Sequence, residues 1–184
     1  NGATLRRRAA HVAFAGEAKL TDVAAGGRHA CAVAGGRVVC LGDNTFGQLG
    51  DGGRVTPKGP VFVAGIVDAV EVVVGLRHSC ARRRGGEVQC WGDDTFGQLG
   101  QPGEPVGEPR DEHGMGPPPA PVETRSRTTP VTVAGLGAVT GLVARGHATC
   151  GLGAAGKLRC WHGDGAEALR DEVVLPRDTR EVGL

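Results

Sequence analysis

The stretch Gly26–Gly50, GGRHACAVAGGRVVCLGDNTFGQLG, recurs within the same chain, and this repetition constrains the fold more than any single residue does. It returns at Gly75–Gly100 as GLRHSCARRRGGEVQCWGDDTFGQLG, and in eroded form at Arg145–Gly165 as RGHATCGLGAAGKLRCWHGDG. Gly16, Gly65 and Gly135 each lie fifteen residues before Cys31, Cys80 and Cys150. Each glycine closes an apolar run: VAFAG at 12–16, VFVAG at 61–65 and VTVAG at 131–135. Three copies therefore align without a gap from that run to the first cysteine, as duplication would leave them.

With 33 glycines, 3% aromatic residues and no tyrosine, the core must be packed from Val, Leu and Ala around tight turns. Many short strands suit that composition better than long helices. Gly35-Gly36 separates ACAVA from RVVCL and reads as a two-residue hairpin loop, placing Val33 opposite Val38 and Cys31 opposite Cys40. One extra residue lengthens the second loop to Arg84–Gly86, so that Cys80 faces Cys90; the loop Ala154–Gly156 likewise sets Cys150 opposite Cys160. All six cysteines thus fall at non-hydrogen-bonded hairpin positions, where Cα atoms lie ~4.5 Å apart. The second cysteine shifts with loop length to keep its partner, which predicts three disulfides and an oxidising compartment. Buried free thiols and zinc are the alternatives. His29 or His78 with two cysteines gives at most three ligands, and the third copy carries Ala148 at that place, so no metal site is expected.

The tails DNTFGQLG (43–50) and DDTFGQLG (93–100) read as turns, with Gly47 and Gly97 permitting positive φ and Leu49 and Leu99 plugging the core. Gln48 and Gln98 are expected to satisfy backbone groups where the chain reverses. The spacing of Asp43, Asn44 and Asp51 misses a calcium-loop pattern, which leaves turn chemistry as the reading. First cysteines are 49 residues apart and then 70, and the excess lies in Gln101–Pro130, which holds 8 of the 11 prolines. This segment reads as an extended, disordered insertion; Arg110, Asp111, Glu112 and His113 within it are binding candidates by exposure. The whole of 1–184 reads as one repeat region, with copies at 12–50, 61–100 and 131–165 and the start of a fourth at 173–184. Beginning and ending in mid-array is expected of a segment of a longer repeat protein.

The chain carries 21 basic and 20 acidic side chains, without the basic surplus that a nucleic-acid binder needs. The runs Arg6–Arg8 and Arg82–Arg84 read as solvated. No apolar run approaches the ~20 residues of a membrane-spanning helix. No cofactor motif is present.

The pattern V-A-x-G-x-x-H-x-C-A…G-x-V-x-C-W-G-x-[ND]-x-x-G-Q-L-G resembles the repeat of the regulator-of-chromosome-condensation propellers. Here it stands as VAAGGRHACAV…GRVVCLGDNTFGQLG and VVVGLRHSCAR…GEVQCWGDDTFGQLG. The resemblance implies an all-β chain of four-stranded antiparallel propeller blades, here about three to three and a half, from a ring of about seven. It also implies a sequence repeat offset from the structural blade. Paired cysteines are similar to those of the exported bacterial variety. His29, His78, Gln48, Gln98, Gly47, Gly97, Trp91 and Trp161 fall on repeat positions with structural roles. Three departures stand out: Leu41 replaces a Trp, Arg145 a Gly and Ala148 a His.

Fold does not transfer function, so several classes are carried forward. The leading expectation is a non-enzymatic, extracytoplasmic module, secreted, periplasmic or at the cell surface. It would bind a protein or surface polymer through blade-end loops, as an inhibitor or an adhesin, with the ring completed by further repeats or another subunit. Exported relatives of the fold include an inhibitor that caps a β-lactamase. A polymer-acting hydrolase or lyase is the second class, although Ser79 and Ser126 lie in no nucleophile motif and His11, His113, His147 and His162 lie off the repeat. A truncated array without autonomous function is the third. A nucleotide-exchange regulator is the fourth, and its nuclear form needs a closed ring and a reducing compartment. The light-receptor relatives need clustered tryptophans, and this chain has two.

Overall fold

The computed structural model describes residues 19–101, 125–154, 156–161 and, for the backbone, 170–174. Among these residues twelve strands form three four-stranded antiparallel sheets in chain order. The first holds β1 (Leu20–Gly26), β2 (His29–Ala34), β3 (Arg37–Gly42) and β4 (Val61–Phe62). The second holds β5 (Ala69–Val74), β6 (His78–Arg83), β7 (Val88–Gly92) and β8 (Arg127–Thr132). The third holds β9 (Val139–Arg145), β10 (Ala148–Gly153), β11 (Lys157–Trp161) and β12 (Arg170–Val174). Each outer strand precedes the next sheet's inner strand, and β4 starts the run VFVAG that opens the second copy. The sequence repeat is therefore offset from the sheet by one strand.

The central hairpins follow from their turns. Gly35 and Gly36 both take positive φ, 57° and 81°, the mirror-image turn whose twist matches the flanking strands. Val33 then pairs with Val38 and Cys31 with Cys40. In the second hairpin Arg83 N donates to Glu87 O, closing the three-residue loop and pairing Cys80 with Cys90. Cys150 pairs with Cys160 in the third. All three pairs are disulfides, with Cα atoms 4.1, 4.0 and 4.0 Å apart.

Successive sheets stack face to face. Cys31, Val33, Val38 and Cys40 of the first pack with Val72, Val74, Ala81 and Trp91 of the second, and Leu49 and Ile66 fill the gap. Cys80, Val88 and Cys90 repeat this against Val139 and Trp161, plugged by Leu99. Each fully buried Val or Leu contributes about 1.5–3 kcal/mol. Disulfide sulfurs thus occupy core volume that aromatic rings fill in richer sequences.

Register shifts near the start of β1, at Leu20/Asp22, and of β5, at Ala69/Glu71, accompany carboxylate ties between neighbouring inner strands. Asp22 Oδ2 accepts a 2.7 Å bond from Val72 N, and Glu71 Oε1 a 3.0 Å bond from Leu142 N. Arg127–Pro130, which the sequence assigns to the end of the Pro-rich insertion, instead open β8. Pro130 is accommodated because β8 is the edge strand of its sheet, where a missing N–H costs no ladder bond. Residues 102–124 of that insertion, including Arg110, Asp111, Glu112 and His113, lie outside the described residues, as do 12–16 and 173–184 apart from β12.

Candidate functional site

Four buried polar side chains, His29, His78, Ser79 and Thr149, form joints between sheets. His29 Nε2 lies 2.8 Å from Ser79 Oγ, and His78 Nε2 lies 2.7 Å from Thr149 Oγ1. Ser79 Oγ donates to Gln48 O at 3.1 Å, and Trp91 Nε1 donates to the same carbonyl at 2.9 Å. Trp161 Nε1 repeats this on Gln98 O at 3.0 Å. Each GQLG tail is thereby clasped by the tryptophan of the next sheet. The glutamine side chains turn inward on their own loops: Gln48 Oε1 accepts from Phe46 N at 2.8 Å, and Gln98 Oε1 from Phe96 N at 2.7 Å. Gly47 and Gly97 sit at φ 76° and 70°, so both tails can reverse without Cβ strain.

A hydroxyl has one proton, and that of Ser79 goes to Gln48 O, so His29 Nε2 must be the donor in its bond. The imidazole is a clasp and not a base for that serine. Nδ1 of His29 and of His78 is buried with no partner among the described residues. Burial accordingly lowers His29 from 6.5 to about 4, against weaker opposing effects from Asp43 and the His78 backbone. His78 falls to about 3, through burial first and then His29 and His147.

The two tails differ at one residue. In the first, Asn44 Oδ1 accepts from Leu49 N at 3.0 Å, and its Nδ2 donates to Asp51 Oδ1 at 3.0 Å, Gly53 O at 3.2 Å and Val55 O at 3.3 Å. An amide pointing its N–H groups at Asp51 makes this a turn and not a cation cage. In the second, Asp94 Oδ1 accepts from Leu99 N at 2.9 Å, but an ionised carboxylate has no donors. Burial raises its pKa to about 6.

The two ends of the sheets differ in how their arginines are held. At the end bearing the hairpins, Arg82 pairs with Glu71 at 2.7 Å just behind the loop and Arg83 meets Asp68 at 2.6 Å and Glu87 at 3.6 Å, while Arg37 and Arg84 are exposed. The opposite end is built of the inner turns 26–28, 75–77 and 145–147. These touch through backbone: Leu76 N donates to Gly146 O at 2.7 Å, and a methyl on Gly26 would fall 2.5 Å from Gly75 O. Arg28, Arg77 and Arg145 project from them, all exposed. Arg77 lies over the Phe46 ring at 4.5 Å, and the Phe96 ring meets His147 at 4.8 Å. Asp43 sits beside this rim. Burial pushes its pKa up, and hydrogen bonds from Thr45 and Thr56 with the nearby Arg28 outweigh that, leaving it lowered.

The sequence-read residues on repeat positions therefore gather at the joints, whereas the rim arginines and the inner-strand carboxylates Asp22 and Glu71 carry no motif. The signal for the joints was available: Ala30, Ser79 and Thr149 are matched positions, each one residue past the histidine site of its copy. A cavity of about 150 Å³ beside Leu136, Gly151, Lys157 and Arg159 holds no converging acid–base pair. No group of three metal-ligating side chains occurs among the described residues, and no helix there is long and apolar enough to cross a membrane.

The regulator of chromosome condensation (RCC1) repeat matches residues 20–48 and 69–98, and a second form of that repeat matches 35–82. No curated protein matches the chain. Among solved structures, human WBSCR16 superposes with a TM-score of 0.65 at 18% identity, over 88% of this chain and 38% of that one. Prp20p from Saccharomyces cerevisiae, described by its binding to Gsp1p and histones, gives 0.59 at 21% identity over 76% and 32%. Yeast RCC1 (Prp20) in its structure with Kap60 gives 0.61 at 19% identity over 86% and 37%. The chain thus spans about a third of each of these proteins, and the likeness at such identity is one of fold. Its fold is that of a partial β-propeller, and regulator-of-chromosome-condensation (RCC1) repeats account for residues 20–98 of it.

Proposed function

We propose that this chain is a non-enzymatic interaction module that works outside the cytoplasm and binds another protein through its blade-end loops. The observation that carries the reading is the division of labour among its polar side chains. The polar groups of His29, His78, Ser79, Thr149, Trp91 and Trp161 are consumed in inter-sheet joints, whereas the inner-turn rim offers exposed arginines on turns held by backbone contact. Three disulfides in so short a span support an oxidising compartment. Prp20p, which shares the fold, is itself described by protein binding, which supports the same class of role here.

The test is site-specific photocrosslinking in the producing organism. A crosslinking residue is placed at Arg77 on the inner-turn end, at Arg84 on the hairpin end, or at Thr132 on an outer strand. Adducts to another protein from either end support the reading. Adducts from Thr132 alone, or none from any position, overturn it.

A further inference from the structure

We infer that the inner-turn rim is a docking site for an acidic protein segment whose carboxylates alternate with apolar side chains. The inference rests on the interaction-module reading above and specifies which end is used and by what chemistry.

Each inner turn carries one guanidinium. Arg28 and Arg77 occupy matched positions, where the third copy has His147. That copy restores the charge two residues earlier, at Arg145, where the other copies have Gly26 and Gly75. The rim therefore keeps three arginines although the local motif has eroded. Backbone contact between the turns holds them in one row: a methyl on Gly75 would fall 2.9 Å from Gly146 O, and one on Gly27 would collide with the Leu76 carbonyl. Arg77 and Arg145 have no ion pair among the described residues, and Arg28 has only the neighbouring Asp43. At the hairpin end Arg82 and Arg83 are held by acidic groups while Arg37 and Arg84 stand singly, so what sets the rim apart is the contact between its turns, which brings its arginines into one row.

The surroundings distinguish among anionic partners. Leu76 and Phe96 are exposed at 42% and 45%; Leu76 adjoins Arg77 in its turn, and Phe96 stands against His147 of the third turn. Phe46 backs the Arg77 guanidinium, a stacking that fixes the fork and leaves its edge free for a carboxylate. Apart from these three arginines the chain carries 18 basic against 20 acidic side chains. A continuous polyanion requires a longer basic track. A short segment with a few carboxylates and interleaved apolar groups fits the row as it stands.

The test measures fluorescence anisotropy of a labelled peptide of alternating glutamate and leucine against the oxidised chain, with a glutamine–leucine peptide as control. The triple variant Arg28→Ala, Arg77→Ala, Arg145→Ala is compared with Arg84→Ala, and matching thermal melts establish that both are folded. The single reversal Arg77→Glu provides a second variant should the triple one fail to fold. The expected result is saturable binding that the triple variant or the reversal weakens at least about tenfold, that Arg84→Ala leaves alone, and that added salt weakens. Equal binding of the glutamine peptide, tighter binding of heparin or single-stranded DNA, or indifference to the rim substitutions would overturn the proposal. Crosslinks from Arg84 without any from Arg77 would likewise remove it while leaving the interaction-module reading intact, whereas loss of adducts from both ends removes both.

Discussion

His29 of the first sheet donates to Ser79 of the second across 2.8 Å, and it can be the donor only because Ser79 has given its own proton to Gln48 O. The serine hydroxyl is thus the centre of a three-way joint between β2, β6 and the first tail. Replacing Ser79 with Ala strands a buried imidazole N–H and deprives Gln48 O of one of its two donors. The expected cost is about 1–3 kcal/mol. Ser79→Thr should retain most of the stability, since Thr149 performs the same duty for His78 at 2.7 Å. Urea titrations of the three proteins check this, and an Ala variant as stable as the parent would remove the joint from the stability account.

Both buried histidines make the fold sensitive to acid. Their folded pKa values, about 4 and about 3, lie below the ordinary 6.5. Below pH 6.5 the unfolded chain takes up protons that the folded one refuses, so stability present at pH 7 is lost progressively as pH falls toward 4. Each unit of displacement corresponds to ~1.4 kcal/mol, which makes the combined effect several kcal/mol. Asp94 acts in the opposite sense: its folded pKa of about 6 lies above 3.8, so its contribution is fullest in acid and is lost as pH rises through that interval. The histidines outweigh it. Urea midpoints should drop between pH 7 and pH 4.5, and Asp94→Asn should make the drop steeper while raising stability at pH 7. A flat profile would contradict the burial of both rings.

Much of this fold was legible because the repeat tied local signals to a fixed spacing. The Gly35-Gly36 turn and the one-residue shift of Cys90 set the hairpin pairing without reference to anything distant. Joints are harder to read, since His29–Ser79 and His78–Thr149 span 50 and 71 residues. Even so, each span is the copy spacing plus one, so aligned copies contain the answer once polar matched positions are compared. Asp22 and Glu71 stayed hidden for a different reason. Their role depends on register shifts in the inner strands, and nothing in the alternation of β1 or β5 marks these. Rim arginines look in sequence like any solvated charge; only the backbone contact between turns places them together.

The disulfides should differ in accessibility to reductant. Cys31, Cys40, Cys80 and Cys90 are at most 1% exposed, whereas Cys150 and Cys160 are half-buried on the third sheet. Limited reduction under native conditions, followed by alkylation and peptide mass mapping, should therefore label Cys150 and Cys160 first. The unreduced protein should weigh two hydrogens less for each of the three bridges. Deleting the first bridge as Cys31→Ala with Cys40→Ala should cost about 2–3 kcal/mol from loop closure. Simultaneous labelling of all six cysteines would show that reduction proceeds through global unfolding and not through the exposed edge.

Trp91 and Gly50 are fitted to each other. The indole donates to Gln48 O at 2.9 Å, and a methyl built on Gly50 would fall 2.8 Å from both Cδ1 and Nε1 of that ring. Gly50 also holds φ at 68°, a conformation that costs any residue with a Cβ. Gly50→Ala therefore carries two penalties, one of backbone and one of collision, and only the second depends on the ring. Trp91→Leu places in β7 the residue that Leu41 supplies at the matched position of β3, removing the collision along with the indole bond. On its own it should cost about 2–4 kcal/mol, near the lower part of the range for emptying a buried aromatic site. In the double variant the collision with the ring is gone and only the tight approach to Val63 Cγ1 at 3.0 Å remains, so the combined loss should fall short of the sum by about 1 kcal/mol or more, beyond the ~0.5 kcal/mol within which independent sites add. Chemical denaturation of the four proteins closes the cycle. Strict additivity would mean that the tail is placed by Leu49 and the glycine turn alone, and that the tryptophan clasp follows the joint and does not set it.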